Sequence, residues 1–263
     1  MKTLVIIKNY FIRLYIGLNI LLLSFFVESK EFDYRFHWMS LPVAKLSINS
    51  NEPLSISNKI NRSDIKFKLS TQGPLKLYRN YSSEGSIKNN TTTSWDYYLF
   101  GQDRGKPEEK LIRYFLDNAP KIKKFVDDSG VSPITVNSSL DKGAIDPFTI
   151  LLKTMQQLSI EQKCNNTYLV MDGKRRYKAK LTFIGKEYLN MHKLKGFLGD
   201  THHCQLSVLS NESKATGIMK NYWPFNGDEK VVDMWFAEGM NFQPVKFEFK
   251  APLGKIIGKL IIK

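Results

Sequence analysis

Along most of this chain apolar and polar residues alternate one by one, the period of a strand with one buried face. Phe32-Asp33-Tyr34-Arg35-Phe36-His37-Trp38 opens the pattern, Ser40-Leu41-Pro42-Val43 breaks it, and Ala44, Leu46 and Ile48 resume it. That arrangement predicts an antiparallel hairpin. Residues 49–53 read as a turn, with Leu54 and Ile56 starting a short strand; Ile65, Phe67 and Leu69 form the next strand, ended by Gly73-Pro74. Residues 75–81 fit a strand or a short helix equally, and residues 85–93 are polar and turn-rich. Strands are then predicted at 95–100, 109–116 and 121–126, and a long polar loop at 127–144. Late in the chain, 204–209, 231–237, 244–249 and 256–262 repeat the hairpin pattern.

One stretch departs from this period. Phe148, Leu151, Leu152, Met155 and Leu158 recur at helical spacing, leaving Thr149, Lys153, Gln156 and Gln157 on the other side. Asp146-Pro147 just before them is a helix start, since Asp caps free N–H groups and Pro suits the first helical position. After Cys164 comes the strand Tyr168-Leu169-Val170, then Asp172-Gly173 as a hairpin turn, then a strand running from Lys174 to Phe183. Ten or more short strands with one amphipathic helix predict an all-β fold. An antiparallel meander of this length twists into a curled sheet, an open or half barrel, with the helix packed on or in it. A hollow of that kind is where a hydrophobic ligand would fit.

Residues 1–29 stand apart. Lys2, Lys8 and Arg13 precede an apolar run over 14–27, and Val27 and Ser29 sit where a signal peptidase would cut before Lys30. The run is short for a spanning helix and Asn19 interrupts it, so export is the first reading and an N-terminal membrane anchor the alternative. The remaining 30–263 form a single β-rich domain. The formal charge of +14 becomes +12 once three positive residues and Glu28 are removed with the leader. Such a surplus favours anionic envelope surfaces, although lysines scattered along a chain also serve solubility alone. In an oxidising compartment the two cysteines, Cys164 and Cys204, are expected to form a disulfide, worth roughly 4 kcal/mol for a loop of about 40 residues.

Candidate chemistry is sparse. The chain has no His-Glu-x-x-His pair, no Gly-x-Ser-x-Gly elbow and no phosphate-cradling glycine loop, and no cofactor or metal is expected. His202-His203-Cys204 suggests a metal, but consecutive strand residues point to opposite faces, and an oxidised cysteine loses its thiolate. Lys174, Arg176, Lys178 and Lys180 share one face of an extended strand, either a linear track for anions or a solvent-facing strand whose lysines discourage edge pairing. No aromatic residue interleaves with them, which argues against nucleic acid. Phe148, Leu151, Leu152 and Met155, with Trp38, Trp95, Trp223 and Trp235, either line a lipid cavity or simply form core. Triplets such as those at Asn61, Asn80, Asn90 and Asn165 match glycosylation acceptors and read as composition.

Several of these stretches together resemble a family of bacterial exported proteins, the domain of unknown function 3108, over residues 32–262. The resemblance rests on Tyr34-Arg35-Phe36-His37-Trp38 with its hairpin, on Asp146-Pro147-Phe148 with the apolar helix, and on Trp235 followed by Pro244-Val245. Its most specific stretch is Asp172-Gly173-Lys174-Arg175-Arg176-Tyr177, similar to the family's Asp-Gly-Arg-Arg-x-Tyr. Cys164 and Cys204 resemble a cysteine pair of some members, whereas Ile145 and Ala44 stand where the family often has Gln and Gly. The resemblance implies a β-rich fold and a periplasmic location, and carries no established activity. The leading functional expectation is therefore a non-enzymatic envelope protein that binds lipid or another amphiphile or serves envelope assembly. A structural or protein-binding module without a cavity, and a hydrolase of envelope polymers, are the alternatives.

Overall fold

A computed structural model describes residues 30–50, 63–73, 77–88, 91–103, 105–127, 132–191, 196–211, 230–251 and 254–261. The leader, His192, Trp223, the strand expected at Leu54 and Ile56, and the acceptors Asn61 and Asn90 lie outside these residues.

Among the described residues thirteen strands form one antiparallel sheet. In chain order they are β1 (Lys30–Trp38), β2 (Leu41–Ser50), β3 (Ser63–Gly73), β4 (Leu77–Lys88), β5 (Thr91–Asp103), β6 (Lys106–Phe115) and β7 (Lys121–Asp127). After the helix α1 (Thr149–Glu161) come β8 (Asn166–Met171), β9 (Arg176–Asn190), β10 (Leu198–Asn211), β11 (Lys230–Ala237), β12 (Gln243–Ala251) and β13 (Gly254–Leu260). The spatial order is β7-β6-β5-β4-β3-β2-β1-β13-β12-β11-β10-β9-β8. Each half is a meander of neighbours in sequence, and the halves meet where β1 pairs with β13.

Of the stretch at 75–81, residues 77–81 are strand, and so are the described residues of the polar segment at 85–93, because β4 and β5 run on as a long ladder. Local polarity misleads there, since every second residue of a half-buried strand faces water. The break expected at residues 40–43 narrows to the two-residue turn Met39-Ser40, with β2 starting at Leu41.

The sheet is open. Its edges β7 and β8 share no ladder, yet it curls until they are near one another. A Cβ on Gly173, in the β8–β9 turn, would lie 2.8 Å from Ile112 Cδ1 on β6, and Tyr114 of β6 donates its hydroxyl proton to Met171 O at the end of β8. Residues 132–148 fill the seam: Ile134 N donates to Gly173 O (2.9 Å), Gly143 N to Asn118 O (3.4 Å), and Ile145 exchanges two backbone bonds of 3.0 Å with Leu169 and Met171.

Helix α1 crosses the concave face as a strut about 20 Å long. At its start Asp146 Oδ1 accepts the N–H groups of Phe148 (2.8 Å) and Thr149 (3.3 Å), the capping expected for an Asp-Pro start. The same oxygen accepts Ser83 Oγ–H of β4 (3.0 Å), and Ser83 Oγ accepts Trp95 Nε1–H of β5. At the other end His202 Nδ1 of β10 lies 3.2 Å from Gln162 O, satisfying one of the carbonyls a helix leaves open. The Cys164–Cys204 disulfide ties the next residues to the same strand. Phe148, Leu151, Leu152, Met155 and Leu158 are all buried, as the spacing predicts. Thr149, Ile150 and Thr154 are buried as well, because a helix inside a trough meets walls on more than one side. Thr154 keeps its hydroxyl satisfied by donating to Ile150 O (2.7 Å). Phe148 stands among Phe67, Tyr81 and Tyr97, with ring centroids 6.0 to 6.4 Å away.

Candidate functional site

The stretch Asp172 to Tyr177 folds into a tight turn for local reasons. Asp172 Oδ1 accepts the N–H of Lys174 (3.0 Å) and of Arg175 (2.9 Å), and Asp172 N donates to Arg175 O (3.1 Å). Gly173 has φ +84° and lies against Ile112, so both its backbone angle and its neighbours exclude a side chain. Arg175 then turns back over its own loop, its Nε 2.7 Å from Asp172 Oδ2.

This turn enters a cluster of charges on the concave side. Lys110 of β6 reaches Glu108 Oε1 (3.2 Å), Arg79 Nε of β4 donates to Glu108 Oε2 (2.7 Å), and Lys174 bridges Glu108 (2.9 Å) and Asp127 of β7. The side chains of Lys110 and Glu108 are both only 3% exposed. Pairing of this kind is what burial demands, because an unmatched charge in a low-dielectric interior is costly. Burial pushes the Glu108 carboxyl up, but Lys110, Arg79 and Lys174 outweigh it and hold the group at about 2. Asp172 follows the same logic, raised by burial and brought below its ordinary value by Arg175 and Lys110. Burial presses the Lys110 amine down, against Asp172 and Glu108.

Tyr81, Tyr97, Tyr114 and Tyr177 surround the cluster, each phenol pushed up by burial. Asp146, beyond them, is also raised by burial, and its hydrogen bonds only partly offset this. The arrangement is four cations (Arg79, Lys110, Lys174, Arg175) over three carboxylates (Glu108, Asp127, Asp172), half-exposed at Arg79, Lys174 and Arg175. It clasps the two ends of the sheet. No nucleophile stands beside a free base in it, and among the described residues no group of three or more His, Cys, Asp or Glu could hold a metal.

The basic stripe divides. Lys174 belongs to the clasp, and Arg176 is held by Asp141, with Nη2 2.6 Å from Oδ2. Only Lys178 and Lys180 are exposed. A four-cation track along β9 is therefore not what the strand presents: carboxylates more than thirty residues away take its first two members. His202 and His203 point to opposite faces, as strand geometry requires. His203 lies on the outer face between Glu187 (2.7 Å from Nδ1) and Asp233 (2.9 Å from Nε2), stacked on Trp235 at 4.4 Å. With both ring nitrogens engaged it has no atom left for a substrate.

The sequence reading missed Arg79, Glu108 and Lys110 as partners of the turn. A signal was present: charged residues at inward positions of alternating strands, such as Lys110 between Glu108 and Ile112, break the polar-out rule.

The turn at the centre of this clasp lies inside a stretch that matches a family model. The profile of the family described as "Protein of unknown function (DUF3108)" matches residues 33–261. The chain belongs to this family. No curated protein matches it. Among solved structures the chain is similar to the β-barrel-like protein of domain of unknown function DUF1849 from Brucella abortus, at 9% identity and a TM-score of 0.48, covering 89% of this chain and 94% of the other. The family carries no assigned catalytic activity in its description.

Proposed function

We propose that this DUF3108 protein is an exported, non-enzymatic component of the cell envelope that acts as a binding module through its outer surface. The observation that carries this reading is the occupied trough: α1 spans the concave face from β4 and β5 to β10, and Phe148 fills the space between Phe67, Tyr81 and Tyr97. A carrier needs that space for its cargo. The disulfide supports export, since such bridges persist in oxidising compartments. The paired state of the inward charges supports a structural rather than catalytic clasp.

Native mass spectrometry of the chain purified without denaturant tests this. The expected mass is that of the polypeptide less two hydrogens, with nothing retained. A lipid surviving detergent exchange at one per chain would overturn the reading. One observation favours that second reading: Tyr34, fully buried on β1 beside Phe247, has a hydroxyl with no hydrogen-bond partner among the described residues. An amphiphile's polar end would satisfy it.

A further inference from the structure

The outer face holds an alignment that runs across the strands rather than along one. Cross-strand registers place Trp235 opposite Lys246, Lys246 opposite Lys259, Lys259 opposite Arg35, and Arg35 opposite Lys45. Four cations from β12, β13, β1 and β2 thus stand side by side, spanning about 14 Å at the usual strand spacing. Among the described residues carboxylates serve the row at its ends: Glu248 lies 3.1 Å from Lys246, whose charge also acts on Glu187, and Asp33 lies 3.3 Å from Lys45. Glu248 is shared with Lys255, and Asp33 also accepts Ser47 Oγ–H. The central pair, Arg35 and Lys259, has no carboxylate partner among the described residues. Like charges directly opposite one another weaken a sheet, so the row costs the fold stability unless anions approach it. Lys259 registers the conflict, its amine pushed down by burial and by Lys246.

The same strands end in an apolar tip. Met39 and Leu41 at the β1–β2 turn are 65% and 62% exposed. Met39 and Ser40 both take positive φ, 48° and 73°, positions that a turn of this kind ordinarily gives to Asn and Gly. Met39 Cγ would be 3.8 Å from a Cβ on Gly254, which puts the tip beside Lys255 and, opposite it, Lys250. Lys246 also lies over the Trp235 ring at 3.8 Å, so an indole flanks the row.

We infer that the β12-β13-β1-β2 face, with the Met39–Leu41 tip, docks on an anionic phospholipid bilayer. A soluble polyanion would account for the cations alone. A bilayer accounts for both features, because it offers phosphates to the row and acyl chains to the tip. This deepens the proposed outer-surface role by naming its partner. It is independent of whether a lipid is retained inside, which the mass measurement reads separately.

The test is co-sedimentation of the purified chain with phosphatidylcholine vesicles, with and without phosphatidylglycerol as about one lipid in three. Binding is expected only with phosphatidylglycerol, and is expected to fall sharply at about 0.5 M salt. Arg35→Gln with Lys259→Gln should weaken it about 30-fold, at roughly fivefold per cation. Met39→Ser with Leu41→Ser should weaken it too, while leaving binding to soluble heparin unchanged. Lys178→Gln with Lys180→Gln, the exposed pair on β9, should change vesicle binding less than about twofold. All these positions except Lys259 are well exposed, and near-ultraviolet circular dichroism checks that each variant keeps its packing. Equal binding to both vesicle types, an unaffected Arg35/Lys259 variant, or an unaffected tip variant with strong heparin binding would each overturn the inference. The last outcome would identify a soluble polyanion instead.

Discussion

Lys110 and Lys259 are both strand lysines whose amines burial pushes down, yet they live in opposite electrostatic settings. Lys110 points into the trough, where Glu108 and Asp172 stand close enough to pull it back up. Lys259 points outward, where its charged cross-strand neighbours are Arg35 and Lys246. Inside, desolvation makes every unpaired charge expensive, so each cation of the clasp has a carboxylate. Outside, water screens repulsion and tolerates a cation without a partner. Pairing within the fold is therefore a mark of structure here, whereas the outward row, unpaired at its centre among the described residues, is available to the anionic bilayer inferred above.

The contrast can be broken most forcefully at Asp172. Asp172→Asn would leave Arg175 and Lys110 short of their counter-charge in a closed site, and should cost about 3–5 kcal/mol of unfolding free energy in urea titration. A loss below about 1 kcal/mol would mean that the clasp is not a matched interior network.

Reduction of Cys164–Cys204, or Cys204→Ser, should cost about 2–4 kcal/mol by releasing the strut from β10. The melting temperature with and without reductant reads this directly. At the other end of α1, Ser83→Ala removes the hydrogen bond to Asp146 and leaves the buried Trp95 Nε1–H without its acceptor, and should cost about 1–3 kcal/mol.

Acid should separate inner from outer charges in another way. Glu108 is depressed in the folded protein from an ordinary 4.5 to about 2, so the unfolded chain binds more protons in that window. Its contribution is fully present above about 4.5 and is lost as pH falls towards 2. Asp172 and Asp141, also depressed, act in the same direction, while Asp146, raised by burial, acts in the opposite one. Denaturant midpoints should therefore decline across that range, and Glu108→Gln should flatten the decline. The smallest effect belongs to the outer row: Arg35→Gln should leave stability unchanged or raise it by about 0.2–1 kcal/mol, because it removes a like-charge pair. A marked destabilisation there would show that Arg35 has a structural partner.

Much of this was legible in the chain. The spacing of Phe148, Leu151, Leu152, Met155 and Leu158 located the helix, and Asp146-Pro147 its start, because capping and amphipathicity are local. Asp172-Gly173 marked the hairpin for the same reason. The fates of Lys174 and Arg176 were not legible. They look identical to Lys178 and Lys180 along the strand, and differ only because Glu108, Asp127 and Asp141 are brought against them by the curl of the sheet. Ile150 and Thr154 are buried for a similar reason, since a second wall reaches the face that one-sided amphipathicity leaves to solvent.

By itself the sequence determined the alphabet of elements: period two for strands, one helical stripe, the turns, and a cysteine pair suited to a bridge. These depend on neighbours within a few residues, where backbone sterics and side-chain direction act directly. Only the tertiary structure decided which charges are spent and which remain. Arg35, Lys45, Lys246 and Lys259 are separated by up to 224 residues (259 − 35) and become a row through strand register alone. Coulomb forces depend on distance in space, and that distance is set by the path of the sheet.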